Sequence, residues 1–563
     1  MSKEIINRYQ FAFLSLIFVL ALFLRFIKLD SIPNGLSQDE TAIGYNAYSI
    51  LTSGRDEFGK PIPLYFKSFG DQKLPVYIYL TAISEKVFGV NPFGVRFPSA
   101  FFGSLTVLIL FLLVKKVTDN VPLALVSSFL LSITPWHLHF SRAAFEVNVG
   151  LFFALTGTFL MVLGKEKTKR QILLLILSVI SFGLSLYSYN VTRLLTPLLA
   201  LSTLIIYRKD FVKLSKYIIF ILAFLIFIIF VPFISTFFSS GGISSAGGAL
   251  IAGNNIQSKL LEFRSYFVGN PIISKIFLNR WIGMIWVYLE NFGNVLSGNF
   301  FFVQGSTHGN QGIGTSGAFY LFQLPLFILG IISLIKNGVG KIKLFFWWGI
   351  ISILVLCLSE EVPHATRGYF LVIPITLISG IGFLYGWEML KTVSRNIRIL
   401  ILTLFIIFFA YNLFYYFASY YVRFPIYYAK EWRQQDKELV NYLMQNESKY
   451  KKIIFDNKAN FIYTSYLFYS RYSPQDFVKS VQRFTDVEGF SVVQSFGKFE
   501  FKDVDWEKDN QKGTLIITTI DNGSKNASQL FYYPKRPVVL SVKNQLAIYP
   551  VTDVAYVLIE GSK

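Results

Sequence analysis

The chain has 563 residues, 53% of them hydrophobic and only 15% charged. A soluble chain would carry nearer a quarter charged residues, so the composition excludes an ordinary soluble protein and points to an integral membrane protein. The net charge of +20 does not call for nucleic acid, because the cytoplasmic loops of membrane proteins gather Lys and Arg. A single cysteine, Cys357, excludes a disulfide framework or a Cys zinc site within one chain.

The first apolar run, about 11–27, follows Lys3 and Arg8 and has no small-residue cleavage site behind it. It predicts an uncleaved first helix. Further runs lie near 97–114, 121–138, 148–164, 171–187, 194–207, 217–236, 318–335, 343–358, 369–387 and 398–418. By the rule of roughly 20 apolar residues per crossing, this predicts about eleven transmembrane helices. Short basic segments occur at every second connection: Lys115-Lys116, Lys165 to Arg170, Arg208 to Lys216, Lys336 to Lys343 and Lys391 to Arg398. The alternation places the N-terminus in the cytoplasm and the C-terminus outside.

The opposite connections are longer and of mixed polarity. The first spans about 28–95, the second holds His139, Arg142 and Glu146, and another, 237–317, is Gly- and Ser-rich at both ends. Its segment Ser239–Gly248 has the composition of a flexible linker and suggests a mobile gate. The tail after 419 alternates one helical pattern, "EWRQQDKELVNYLMQ", with short β-branched runs, "KIIFD", "GTLIITTI" and "VAYVLIEG", which predicts a small α/β domain. The expected organisation is therefore mainly α: a transmembrane domain over 1–418 with extracytoplasmic loops 28–95 and 237–317, then an extracytoplasmic α/β domain over 419–563.

Chemistry-bearing residues concentrate on the outer side. In "GLSQDETAIG", Asp39 and Glu40 stand side by side. Ser37 to Glu40 also fits a capping box, with Ser37 as N-cap and Glu40 as the third helical residue. The two readings are compatible, because helix neighbours point about 100° apart. Lys73 in "KSFGDQKLPVYIYL" and Arg96 in "GVRFPSAFFG" are cations that can snorkel at the interface or bind lipid phosphate. Arg142 and Glu146 are spaced to pair on a helix. His364 and Arg367 in "EEVPHATRGYF" adjoin an apolar run, where an Arg needs a partner and a phosphate suits its planar fork. His308 is a further candidate on a loop. "DVD" at Asp503–Asp505 matches a three-residue metal motif but equally a surface turn, and the N-x-[ST] matches at Asn190, Asn522 and Asn526 are short enough to be chance. There is no P-loop, dinucleotide fingerprint or HExxH.

The stretches "LDSIPNGLSQDETAIGYNAYSIL" and "KLPVYIYLTAISEKVFGVNPFGVRFPSAFFGSLTVLILFLLVKK", with "PHATRGYFLVIP" further on, resemble the GT-C membrane glycosyltransferases. Within these they are similar to the protein O-mannosyltransferases and the aminoarabinose transferases of lipid A, best over about 15–200. The resemblance implies inverting transfer of a sugar from a polyprenyl-phosphate donor to a hydroxyl on a glycan, lipid or protein acceptor. It implies Asp39 as general base, Glu40 in support, and Lys73 on the lipid phosphate. Arg96, Arg142, His364 and Arg367 are further phosphate contacts, and Glu146 and His308 further site candidates. "KLPVYIY" departs from the family in having Leu74 where many relatives have Pro. No metal ligands are assigned and no cofactor is called for, although some relatives carry a divalent metal. The aromatic-, Ile- and Lys-rich usage, with the sequon matches read as chance, suggests a bacterial cell membrane rather than the endoplasmic reticulum. Two other readings remain open: a polytopic transporter or lipid flippase, and a glycan ligase or polymerase with a lipid-diphosphate donor. Transporters place their sites near the bilayer midplane, often within internal repeats. Here the polar candidates lie in outer loops and no repeat is evident.

Overall fold

The computed structural model describes residues 8–68, 71–237, 254–266, 279–485, 491–519, 527–542 and 545–562, together with Ile272 and Ile276. The expected gate, Ser239–Gly248, lies outside the described residues. The chain divides into two compact units: residues 1–27, 99–141 and 145–416 form one, and residues 28–98, 142–144 and 417–563 the other.

In the first unit each of the eleven apolar runs is a helix. They are Gln10–Phe26, the body of Pro92–Thr118, Val121–Ile133, Glu146–Gly164, Gln171–Leu186, Thr192–Ile206, Lys216–Phe237, Gln323–Asn337, Lys343–Leu356, Val372–Lys391 and Arg395–Ala418. Length separates them. Among the described residues only five helices are long and apolar enough to cross a membrane alone. Gln323–Asn337 and the stretch Gly340–Leu356 are bent against each other by 111°, and Gln10–Phe26, Val121–Ile133, Gln171–Leu186 and Thr192–Ile206 are short. At 1.5 Å per residue a helix of 13 to 17 residues reaches only about 20–25 Å, short of a hydrocarbon core of about 30 Å. Eleven apolar helices are therefore not the same as eleven full crossings.

Close packing sets these helices. A Cβ on Gly382 would lie 1.7 Å from the Leu326 carbonyl oxygen, and one on Gly330 would lie 2.1 Å from that of Ile378. Glycine at both points lets Gln323–Asn337 and Val372–Lys391 meet backbone to backbone. Aromatic rings fill the core around Trp136, which meets Phe300, Phe319 and Tyr369 edge-on. Lys116 pairs with Glu166 at 2.5 Å and Lys341 with Asp119 at 2.8 Å. These pairs gather three of the basic connections at one end of the unit.

The second unit is built on a seven-stranded sheet. Its order is Gln482–Thr485, Ser491–Phe496, Phe499–Lys502, Lys452–Asp456, Thr514–Thr518, Val554–Glu560 and Gln529–Tyr532. Lys452–Asp456 runs parallel to both its neighbours, and the other pairings are antiparallel. The three β-branched runs read from the sequence are three adjacent inner strands, the fourth to sixth in that order, and "EWRQQDKELVNYLMQ" gives the helix Gln434–Asn446. All five residues of Thr514–Thr518 are buried, as expected of a central strand covered on both faces.

The helix Gln38–Ser53 and the helix Pro75–Phe88 of the first long loop belong to this unit. Gly44 makes room for the Phe468 ring, which would lie 2.4 Å from a Cβ there. Thr41 and Thr464 share a hydroxyl hydrogen bond at 2.9 Å. Asn34 Nδ2 donates to Gln434 Oε1 at 2.9 Å. Gly35 is needed where the chain passes the Trp432 carbonyl, since a Cβ would sit 2.0 Å from that oxygen. The first long loop is thus fastened to the C-terminal sheet domain.

Candidate functional site

The stretch that opens with Ser37 folds as its pattern predicts. Ser37 is the N-cap of Gln38–Ser53. Its Oγ accepts from the Glu40 backbone N–H at 3.3 Å, while Glu40 Oε2 accepts from the Ser37 N–H at 3.0 Å. The capping box is complete, and both acids fall in the first turn, where the helix dipole favours them.

Glu40 does more than cap. Its Oε1 accepts from Arg96 Nε at 2.8 Å and from the Ala144 N–H at 3.1 Å, and its Oε2 from Arg96 at 3.1 Å. Both side chains are buried, at 2% and 0% exposure. Arg96 also donates to the carbonyls of Leu29, at 3.2 Å, Pro33, at 2.7 Å, and Gly35. Arg96, expected as a phosphate contact, is instead engaged in fastening the turn before the acidic pair. Arg142 behaves similarly. It is buried, donates to the carbonyls of Lys28 at 3.3 Å and Ile32 at 3.0 Å, and stacks over Tyr420 and Tyr421 at 5.4 and 5.5 Å. It lies in the turn before helix Glu146–Gly164 rather than on it, so the helical i, i+4 geometry expected for Arg142 and Glu146 does not form.

Asp39 points elsewhere. Half of its side chain is exposed, 51%, and its Oδ1 accepts from Lys73 Nζ at 2.5 Å. Lys73 is itself buried at 3% exposure. It ends the short strand Asp71–Lys73, which pairs with Phe66–Ser68, so a hairpin holds the ammonium in place. Leu74 follows with φ −81° and ψ 153° before Pro75 opens the next helix. A proline could adopt that φ. Asp39, Glu40, Lys73, Arg96 and Arg142 thus come together within one unit. A frame of buried hydrogen bonds presents one accessible carboxylate beside one cation.

The remaining candidates lie in the first unit. Glu146 opens its helix half-buried. His308 Nε2 sits 3.7 Å from Glu361 Oε1, and its ring centroid is 6.2 Å from that of His364. His364 Nδ1 shares a hydrogen bond with the Thr366 hydroxyl at 2.9 Å. Burial above all, with Arg367 and His308 adding to it, pushes the His364 imidazole down to about 3. At neutral pH it offers a neutral ring and no positive charge to a phosphate. Arg367 is half-buried.

Among the described residues no three His, Cys, Asp or Glu side chains gather as metal ligands. Asp505 of the "DVD" match caps the short helix Trp506–Asp509, accepting from the N–H groups of Glu507 and Lys508. The sequence reading missed Glu57. It is buried, accepts from Tyr463 Oη at 2.9 Å, and its backbone N–H donates to Asn46 Oδ1 at 3.1 Å. Burial raises its carboxyl to about 7. No local pattern announces it, because Tyr463 is 406 positions away.

The pattern of the dolichyl-phosphate-mannose-protein mannosyltransferase family matches residues 72–235. No curated protein matches the sequence significantly. Among solved structures, ArnT from Cupriavidus metallidurans, bound to undecaprenyl phosphate, is similar at 11% identity, over 96% of this chain and 97% of that one, with a TM-score of 0.53. The oligosaccharyltransferase AglB from Archaeoglobus fulgidus, solved with an inhibitory peptide and a dolichol-phosphate, is 14% identical over 82% of this chain, with a TM-score of 0.47. This chain spans 64% of AglB's length. With its apolar helices and β-containing C-terminal region, the chain is a multi-pass membrane protein that shares its fold with ArnT and carries the mannosyltransferase family pattern over residues 72–235.

Proposed function

We propose that this chain is an inverting glycosyltransferase that moves a sugar from a polyprenyl-phosphate donor to an acceptor hydroxyl on the extracytoplasmic face. The observation that carries the reading is the division of labour between neighbouring acids. Glu40 is locked into the capping box and the Arg96 pair, while Asp39 stands half-exposed beside a buried Lys73. The family pattern begins at residue 72 and so includes Lys73.

In this reading Asp39 accepts the proton of the acceptor hydroxyl as its oxygen bonds to the anomeric carbon. The bond from that carbon to the phosphate oxygen breaks, and polyprenyl phosphate leaves with the electron pair. An ammonium has three donors and can hold a carboxylate and a phosphate oxygen together. Lys73 would orient Asp39 and stabilise charge growing on the leaving phosphate.

The test uses the full chain in lipid with a panel of polyprenyl-phosphate sugars, parallel polyprenyl-diphosphate donors, and pooled envelope glycans, lipids and peptides as acceptors. Release of polyprenyl phosphate is followed. Loss of a general base costs about 10²- to 10⁴-fold, so Asp39→Asn should fall by that factor on the monophosphate donor. Undiminished turnover in Asp39→Asn would return the residue to helix capping. Turnover of diphosphate donors alone would favour the ligase reading.

A further inference from the structure

A cavity of about 850 Å³ lies among the helices Glu146–Gly164, Gln171–Leu186, Thr192–Ile206 and Lys216–Phe237. Its walls are apolar, with Leu175, Phe182, Pro197, Leu204, Ile219 and Ile226 among them. The two hydroxyls in the wall are turned to the protein: Ser178 donates to the Gly157 carbonyl at 2.7 Å, and Thr196 shares a hydrogen bond with Ser185 at 2.8 Å. Nothing in the wall asks for a polar ligand.

One end of the cavity is different. Arg208 lines it, and the same short connection carries Lys209, Lys213 and Lys216 against one acid, Asp210. Among the described residues none of these four cations makes an ion pair. Lys165 lies over the Tyr207 ring at 4.0 Å and adds its charge to the same end. At the far end the helices meet, where Tyr187 Oη donates to the Ile229 carbonyl at 2.9 Å and Gly183 lets the Ile229 side chain approach.

The depth is informative. On Gln171–Leu186 the lining runs from Leu175 to Leu186, and on Lys216–Phe237 from Ile219 to Phe230. Eleven steps of 1.5 Å make about 16 Å, the thickness of one leaflet of a hydrocarbon core of about 30 Å. The window of Lys216–Ile234 that meets the criteria for a crossing helix is 0% buried, so this wall of the cavity belongs to a helix left open to lipid.

We propose that this groove is a binding site for an anionic glycerophospholipid of the leaflet that faces the basic connections. The acyl chains fill the apolar groove, and the phosphate sits at Arg208 among Lys209, Lys213 and Lys216. Basic pockets between membrane helices on the cytoplasmic side recognise anionic headgroups in this way, and the positive-inside rule assigns this end to the cytoplasm. The site is separate in chemistry from the acidic pair. Among the described residues its lining holds no carboxylate, so it holds a lipid without providing an acid or base to turn it over. The proposal does not depend on the glycosyltransferase reading.

Native mass spectrometry of the purified full chain tests it, with phosphatidylglycerol and phosphatidylcholine of matched acyl chains, and undecaprenyl phosphate as competitor. The wild type should retain phosphatidylglycerol over phosphatidylcholine. Arg208→Gln should weaken phosphatidylglycerol about fivefold, the worth of one cation near a charged surface, and leave phosphatidylcholine unchanged. Ala223→Trp, which fills the groove from an exposed position, should weaken both, with thermal unfolding in detergent as the check that it folds. Equal retention of the two lipids, or phosphatidylglycerol binding unaltered in Arg208→Gln, overturns the proposal. Displacement of phosphatidylglycerol by equimolar undecaprenyl phosphate also overturns it, by making the groove a polyprenyl site.

Discussion

Truncating Glu40 should unfold the frame without touching the proposed base. Glu40 accepts four hydrogen bonds: two from Arg96, one from the Ser37 N–H and one from the Ala144 N–H. In Glu40→Ala all four donors lose their partner, and the Arg96 guanidinium keeps its charge at 0% exposure. Breaking a buried pair from one side costs about 3–5 kcal/mol, because the surviving charge stays buried and uncompensated. Loss of the N-cap alone, in Ser37→Ala, costs about 1 kcal/mol. Asp39→Asn keeps an oxygen for Lys73 but removes one charge of a pair whose ammonium is buried and whose carboxylate is half-exposed, so its cost should lie below that of Glu40→Ala, where both partners are buried. The assay is thermal unfolding in lipid nanodiscs for the three variants, run beside donor turnover. Glu40→Ala should be the most destabilised, with Ser37→Ala and Asp39→Asn both milder and turnover lost in an Asp39→Asn protein that still folds. A Glu40→Ala protein that melts with the wild type would refute the reasoning, since the buried pair would then carry no structural weight.

Other outcomes follow from the same structure. Lys73→Met should reduce turnover of a polyprenyl-phosphate donor more than it changes acceptor KM, and equal effects on both would argue against a phosphate role. Glu57, lifted from its ordinary 4.5 to about 7 by burial, binds a proton in the folded state that the unfolded state has released. Its contribution is therefore fully present below about pH 4.5 and is lost as pH rises through 7, by about 3 kcal/mol in all. Glu57→Gln should flatten the fall in melting temperature across that window, and an unchanged pH profile would assign the fall to other groups. Gly382→Ala should destabilise strongly, because its Cβ would sit 1.7 Å from the Leu326 oxygen. Gly293→Ala, in a helix with nothing within 4 Å, should gain up to about 1 kcal/mol, and expression with unfolding midpoints separates the two.

What the sequence made legible was local. Apolar runs marked eleven helices of the membrane unit, because continuous hydrophobicity is a short-range signal, but the helices Asn254–Ser265 and Arg280–Leu296 lie in the stretch 237–317 that was expected to be a loop. Ser37 and Glu40 announced their cap across three residues, and "KIIFD", "GTLIITTI" and "VAYVLIEG" announced three adjacent inner strands. What it hid was long-range. Arg96 sits 56 positions from Glu40, and an isolated arginine ahead of an apolar run looks the same whether it meets a phosphate or a carboxylate. The 111° bend after Asn337 was invisible to a length rule that sees only composition. Glu57 and its Tyr463 partner carry no motif at all, since nothing in the local pattern records which strand domain will close over the first loop.

The acidic pair itself can be argued one step further. A helix N-terminus gives consecutive residues different fates, because they point about 100° apart. The one whose backbone N–H reaches the N-cap must turn back toward it, and here that residue is Glu40. Once Glu40 is drawn inward to Arg96 and Ala144, Asp39 on the neighbouring face points out to Lys73. The cap therefore selects which of two adjacent carboxylates is free for chemistry. Exchanging the pair, Asp39→Glu with Glu40→Asp, keeps the charge and the residue types. It should nevertheless lose the Arg96 pair and turnover, because the shorter acid no longer spans to Arg96 and the longer one overreaches Lys73. Retained turnover in the exchanged protein, measured on the same donor, would show that any carboxylate at this turn suffices.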